Sequence, residues 1–344
     1  MELYVVSAYL TEWNTDLKLN AECRSFRLIV GKDFGITRKD ACRAVLNWLP
    51  AGRKADFLVA DQLSGFHPKA VFWKSAAGQC FMVIGSSNLS RAAFHSNVEA
   101  NVFSLISEDA FEVANRWIDW IADRCVPVSQ DWLDRYVEAD QRATPDGRKQ
   151  RAKPTQRAVV TFKLPRPRGL QRLLLRRREQ LMAYRKSRPA ILRVFRDCAE
   201  KRIDSETFYG RIARLWSWDA GNRLQGPGWE RQGRVANFHE LAIAFVAILD
   251  AKKRERDDVV RTQLDRLKAS GNSARRAFLS EMLCLRFPSE YPILNKPVTE
   301  FLSKIHFSAP RGASEGAKYI DLAKKLRAAL RTNPGYPARN LGQR

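Results

Sequence analysis

Three short stretches of the 344-residue chain hold side chains able to do chemistry together: His67-Pro68-Lys69, Gly85-Ser86-Ser87-Asn88 and Asn97-Val98-Glu99. His67 and Lys69 stand at i and i+2, so on a strand they face the same side. The apolar run 80–84, after a turn at Ala76-Ala77-Gly78, predicts the second arm of a hairpin. That hairpin would carry residues 85–88 to the end of the sheet beside His67, so that a histidine, a lysine, Ser86 and Asn88 converge.

Such a group suits attack on a phosphodiester. A neutral imidazole, with an ordinary pKa of about 6.5, is a competent nucleophile near neutrality, and a covalent phosphohistidine divides one hard displacement into two easier ones. Lys69 and the Asn88 amide can hold non-bridging oxygens as charge builds. Gly85 would let backbone approach the phosphate with no Cβ in the way. Glu99 could accept from the far imidazole nitrogen and fix its tautomer. The chemistry needs no metal-ligand cluster, and no cofactor is expected.

The elements that must position these residues read as alternating strands and helices. Apolar runs at 3–10, 26–30, 57–60, 70–73, 80–84 and 98–105 predict strands, and 40–49 and 110–122 predict helices. This is an α/β arrangement, a mixed sheet flanked by helices, over residues 1–138. Residues 139–169 read as a basic linker punctuated by Pro145-Asp146-Gly147, Lys153-Pro154 and Pro165-Arg166-Pro167, with one short strand at 159–164. From 170 to 344 the pattern is helical: 170–184, 190–201, 205–216, 237–251, 257–269, 274–286, 298–305 and 314–330, read as one all-α domain. A glycine-rich loop at 221–233 interrupts it, and Trp216, Trp218 and Trp229 around that loop are either core residues or a platform for stacking on bases.

The formal charge of +23 is unevenly placed. Residues 1–141 carry 15 basic and 18 acidic side chains; residues 142–188 carry 16 and 2, with 12 arginines among the 16. Residues 189–344 hold a further net +12. Arginine forms bidentate phosphate contacts, so Arg166, Arg168, Arg172, Arg176, Arg177, Arg178, Arg185 and Lys186 are expected to bind a nucleic-acid backbone. By this map residues 1–141 alone should fold, and binding should reside in the remainder. The first 13 residues have no basic n-region and the chain has no run of eighteen apolar residues, so neither a signal peptide nor a membrane span is expected. Six cysteines without a C-x-x-C pair fit reduced, buried thiols in a cytoplasmic protein.

The H-x-K pair at His67 and Lys69, the G-S-x-N run ending at Asn88, and the following Glu99 together resemble the phospholipase D superfamily over about residues 1–135. The position five beyond the lysine, acidic in most of that superfamily, is Lys74 here. The metal-independent restriction endonucleases of the superfamily also lack that acid, and they are the branch this chain resembles most. Superfamily sites take two such motifs, and here His95, His239 and His306 have no lysine two residues on. The resemblance therefore implies a homodimer through the N-terminal domain with one site on its two-fold axis. It implies hydrolysis of DNA, with RNA left open, in restriction or anti-phage defence beside a helicase or modification enzyme. Two other functions remain compatible with the residues: a phospholipid hydrolase, and a nucleic-acid-binding scaffold that no longer turns over.

Overall fold

Runs of β-branched and aromatic residues set the first strands, β1 (Glu2–Ser7) and β2 (Ser25–Val30), which pair in parallel. After α1 (Lys39–Trp48) comes β3 (Phe57–Val59), parallel to β2. β4 (Lys69–Lys74) returns antiparallel to β1 and forms the expected hairpin with β5 (Cys80–Gly85), with Ala70 opposite Ile84. The short α2 (Arg91–His95) leads to β6 (Asn101–Ile106), antiparallel to β5. α3 (Glu108–Ala122), β7 (Val126–Pro127) and α4 (Gln130–Arg135) complete the segment. The result is a mixed seven-stranded sheet in the order β6-β5-β4-β1-β2-β3-β7. The last expected strand is shorter than the apolar run, because residues 98–100 belong to the loop entering β6.

The computed structural model describes residues 1–139, 158, 159, 162, 164–225 and 236–343. Trp229, most of the linker and most of the strand expected at 159–164 lie outside the described residues. The chain forms two compact units, Met1–Thr161 with Ser308–Ala328, and Phe162–Phe307 with Ala329–Arg344.

In the first unit, α3 covers one face of the sheet. Tyr4, Val6, Ala70, Phe72 and Cys80 bury against Phe111, Ala114, Ile118 and Ile121, the apolar stripe of that helix. On the opposite face Trp73, Phe81 and Phe103 stack across three strands with ring centroids 5.1–6.0 Å apart. That face stays in solvent at its β6 end, where Phe103 is 63% and Leu105 61% exposed.

The unit also takes in a segment from far along the chain. Lys325 on α11 (Glu315–Arg331) has a fully buried side chain, and its Nζ lies 2.7 Å from Asp131, 3.2 Å from Asp321 and 2.8 Å from Ser129 Oγ. Lys54 Nζ donates to Arg311 O at 3.0 Å, and Ser314 N to Ala51 O at 3.0 Å. Residues 308–328 thus group with the α/β unit, whereas the sequence pattern puts all of 170–344 in one helical domain. Without the returning segment, buried Asp131 has lost its ammonium. The cause is an ion pair between residues almost two hundred positions apart, which helical periodicity does not report.

In the second unit α5 (Leu170–Ala199) is one helix where a break near residue 185 was expected; it runs through Pro189. Its two halves share one buried stripe, Leu174, Leu181, Tyr184, Ile191, Phe195 and Cys198, so packing outweighs the hydrogen bond that proline removes. α6 (Ser205–Leu215), α7 (Phe238–Asp250), α8 (Lys253–Ala269), α9 (Ala277–Arg286) and α10 (Lys296–Lys304) follow. Phe195, Phe208, Phe238, Phe245 and Phe278 meet at its centre. Among the described residues, no helix is long and apolar enough to cross a membrane.

Candidate active site

The β1–β4 register sets Ser7 opposite Lys69, and the β5–β6 register sets Gly85 opposite Asn101. The residues singled out in the sequence thus gather at one end of the sheet. His67, two residues before Lys69, is exposed. Lys69 Nζ lies 2.8 Å from His67 Nδ1 and 3.2 Å from Nε2, and it donates to His67 O at 2.9 Å. Partial loss of hydration, then the Lys69 charge, holds the His67 pKa below its ordinary value. Both causes favour the neutral imidazole, the form a nucleophile needs. Loss of hydration also lowers Lys69, with Glu99 opposing.

Asn88 joins the group through the backbone of the loop after β1. Its Oδ1 accepts from Tyr9 N at 3.3 Å, which leaves Nδ2 as the donor for a ligand oxygen. Leu89 N donates to Ser7 Oγ at 3.0 Å and Thr11 N to Leu89 O at 2.9 Å, fastening the 85–88 turn to the same loop. The Tyr9 ring meets the His67 ring edge-on, centroids 5.7 Å apart and planes at 74°. Tyr9 therefore touches both ends of the group, a role with no local signal in the sequence.

Glu99 does not take the place expected for it. Within one chain it accepts from Ser86 Oγ and, at 3.1 Å, from Asn97 Nδ2, and it makes no hydrogen bond to His67. These two donors hold its carboxyl below the ordinary carboxylate range, with Ser86 the larger cause. The reason is register: Ser86 N and Ala100 O pair at 3.0 Å, so Glu99 enters the sheet directly beside Ser86. Ser86 is accordingly a positioning residue for Glu99, and Asn97, quoted in the motif without a role, is another.

Gly85 also has a different reason from the one expected. A Cβ there would fall inside contact distance of Asn101 Oδ1 and Ala100 O and 2.7 Å from Asn101 Cα. The space is occupied by protein: the Asn101 side chain folds over Gly85, donates to Ser87 Oγ at 2.8 Å and accepts from Ser87 N at 3.4 Å. The glycine lets the β6 strand close on the 85–88 turn and so sets where Asn88 stands.

No family model and no curated protein matches this chain.

Lys74 stands apart from the site. It is at the other end of β4, about 17 Å along the strand at 3.3 Å per residue, where it pairs with Glu108. Its positive charge therefore does not enter the His67–Lys69 group. Among the described residues, no group of three or more His, Cys, Asp or Glu is placed to hold a metal ion.

Of the basic residues expected to contact nucleic acid, Arg166, Arg168, Arg172, Arg176, Arg178, Arg185 and Lys186 are exposed. Among the described residues, no carboxylate pairs with any of them. Elsewhere in the same unit arginines are matched, as in Arg196 with Asp250 at 2.7 Å and Arg256 with Glu290 at 2.7 Å. Arg177 is the exception and corrects the expectation. It shares the inward stripe of α5 with Leu174, Leu181 and Tyr184 and donates to Gln180 Oε1 at 3.1 Å and Leu224 O at 2.7 Å. Burial holds its pKa below the ordinary value. Three successive arginines cannot share one helix face at 100° per residue.

Proposed function

We propose that this chain is a phospholipase D-type nuclease that hydrolyses phosphodiester bonds of DNA without a metal, through a phosphohistidine on His67. The observation that carries the reading is the exposed His67 imidazole with Lys69 Nζ 2.8 Å away at the open end of a sheet. The Asn88 amide and the Ser86–Glu99 pair stand at the same end.

In the proposed reaction an imidazole nitrogen attacks phosphorus and the P–O bond to the leaving oxygen breaks. Lys69 turns from the ring to a non-bridging oxygen, which frees the nitrogen and neutralises charge in the transition state. The leaving oxygen takes its proton from a second imidazole in its imidazolium form, which is thereby left neutral and then deprotonates the water that breaks the N–P bond. The chain has one H-x-K pair, so the second imidazole comes from a second copy. An apolar groove of ≈ 490 Å³ on the uncovered sheet face runs from Leu3 and Trp73 past Trp13 to Leu89 and Phe94, Leu89 being next to Asn88. With the exposed Phe103 and Leu105 it supports a homodimer formed through this unit. The seven exposed cations without carboxylate partners supply backbone affinity. The resemblance favours a role in restriction or anti-phage defence, and the six cysteines without a C-x-x-C pair favour the cytoplasm.

The test is incubation of DNA with the unmutated protein and with His67→Ala in EDTA. Cleavage by the first and none by the second is expected. A requirement for added Mg²⁺, or cleavage by the variant, overturns the mechanism. Solution mass addresses the second copy, since a strict monomer with full activity contradicts a site built from two copies of His67.

A further inference from the structure

Trp216 and Trp218 lie two residues apart after α6 and have opposite surroundings. Trp216 is 1% exposed, meets Phe278 edge-on at 5.2 Å and donates from Nε1 to Glu281 at 3.2 Å. It belongs to the core. Trp218 is 44% exposed, a large apolar surface left in water by a unit that buries its other described tryptophan.

The turn that presents Trp218 is held in place from several sides. Buried Asn222 accepts from Ser217 N at 3.1 Å and donates to Leu215 O at 2.8 Å and, on α5, to Ser187 Oγ at 2.8 Å. Ala220 N donates to Ser217 Oγ at 3.0 Å and Gly221 N to Trp218 O at 2.9 Å. Gly221 has φ +65°, the left-handed conformation that closes the turn. The backbone that carries Trp218 is therefore ordered before anything binds, which lowers the entropic cost of using it as a contact.

The Arg176 guanidinium lies over the Trp218 ring, 5.5 Å from its centroid. Arg172, one turn earlier on α5, shares that stripe and is exposed. A flat aromatic surface next to unpaired guanidinium groups matches what a nucleotide offers, a base face and a phosphate. The ring needs a base whose face is open. Bases in a duplex present edges in the grooves and hide their faces in the stack, whereas unpaired bases are held by aromatic stacking.

We propose that Trp218 and Arg176 form a subsite that stacks one unpaired nucleobase and holds its adjoining phosphate. The inference rests on the nucleic-acid-binding reading of the α5 face and specifies a single-stranded segment as what that face selects.

The experiment uses the full chain and fluorescence anisotropy at fixed salt, with a labelled oligothymidylate and a hairpin duplex of equal charge as probes. Trp218→Ala weakens binding of the oligothymidylate by about 5- to 150-fold, the range for loss of one base–aromatic stack. It leaves duplex binding within about twofold, and Trp218→Phe keeps most of the single-strand affinity. Arg176→Ala weakens both probes and makes the salt dependence shallower by about one ion. An unchanged thermal midpoint for Trp218→Ala accompanies these results, because the ring lies outside the core. Equal losses on both probes, or no loss on the single strand, overturn the subsite and leave Trp218 as a surface for another protein. All variants are made in the His67→Ala background and binding is read without cleavage, so failure of the His67 mechanism leaves this result standing. Failure of the subsite, in turn, leaves His67-dependent cleavage untouched.

Discussion

Gly85→Ala is the smallest change that tests how the site is built. The added methyl would stand 2.7 Å from Asn101 Cα and closer still to Ala100 O and Asn101 Oδ1. Carbon atoms rest at about 3.5–4.0 Å, so relief requires the β5 and β6 strands to part by about 1 Å. Two of the three obstacles are backbone, hence no side-chain rotation removes them. Forcing a methyl into such a site costs about 1–3 kcal/mol. For a unit of this size that lowers Tm by about 2–12 °C, at 2–4 °C per kcal/mol. The same displacement moves Ser86, Glu99 and Asn88 away from His67, and a misplacement of about 1 Å in a catalytic group costs about 10²-fold in rate. Differential scanning calorimetry reads the first effect and cleavage of a labelled duplex the second. Asn101→Gly in the same chain removes only the Oδ1 contact, so the double variant should recover little of either loss. Unchanged Tm and unchanged cleavage for Gly85→Ala would refute the reasoning, because the strands could then separate at no cost.

Two further outcomes are expected. The lowered His67 pKa puts the acid limb of kcat/KM below pH 6.5, where both copies of His67 become protonated and no nucleophile is left; Lys69→Gln removes one of the two causes and moves the His67 midpoint up, as read by NMR titration of a protein with only four histidines. Lys325→Met leaves the buried carboxylates of Asp131 and Asp321 without their ammonium and destabilises the first unit by about 3–5 kcal/mol in denaturant titration. Burial pushes Asp321 up to about 7, so the loss should be smaller at pH 5, where that carboxyl is protonated, than at pH 8.

The site's inventory was legible because its residues lie close in sequence. His67 and Lys69 declared a shared face by their spacing, the turn at 76–78 declared the hairpin, and the apolar run 80–84 declared the strand that delivers Gly85 and Asn88. What each residue does was less legible. Glu99 bonds Ser86, and Gly85 makes room for Asn101, because the β5–β6 register sets residues 13 to 16 positions apart against each other. Tyr9 reaches His67 from a third segment of the chain.

The sequence by itself determined the elements. Hydrophobic periodicity, turn residues and caps are local, and they place most strands and helices to within a few residues; α2, β7 and α4 are too short to carry a periodic signal, and Pro189 splits the pattern of α5. It also determined where the charge lies along the chain. Only the tertiary structure decided which charges are available: Arg176 and Arg178 face water while Arg177 between them turns inward. Only the tertiary structure gave residues 308–328 to the α/β unit, through a buried lysine whose carboxylate partner Asp131 lies 194 residues away. A helix reports its apolar stripe in its own sequence; the surface that stripe covers is chosen by residues elsewhere in the chain.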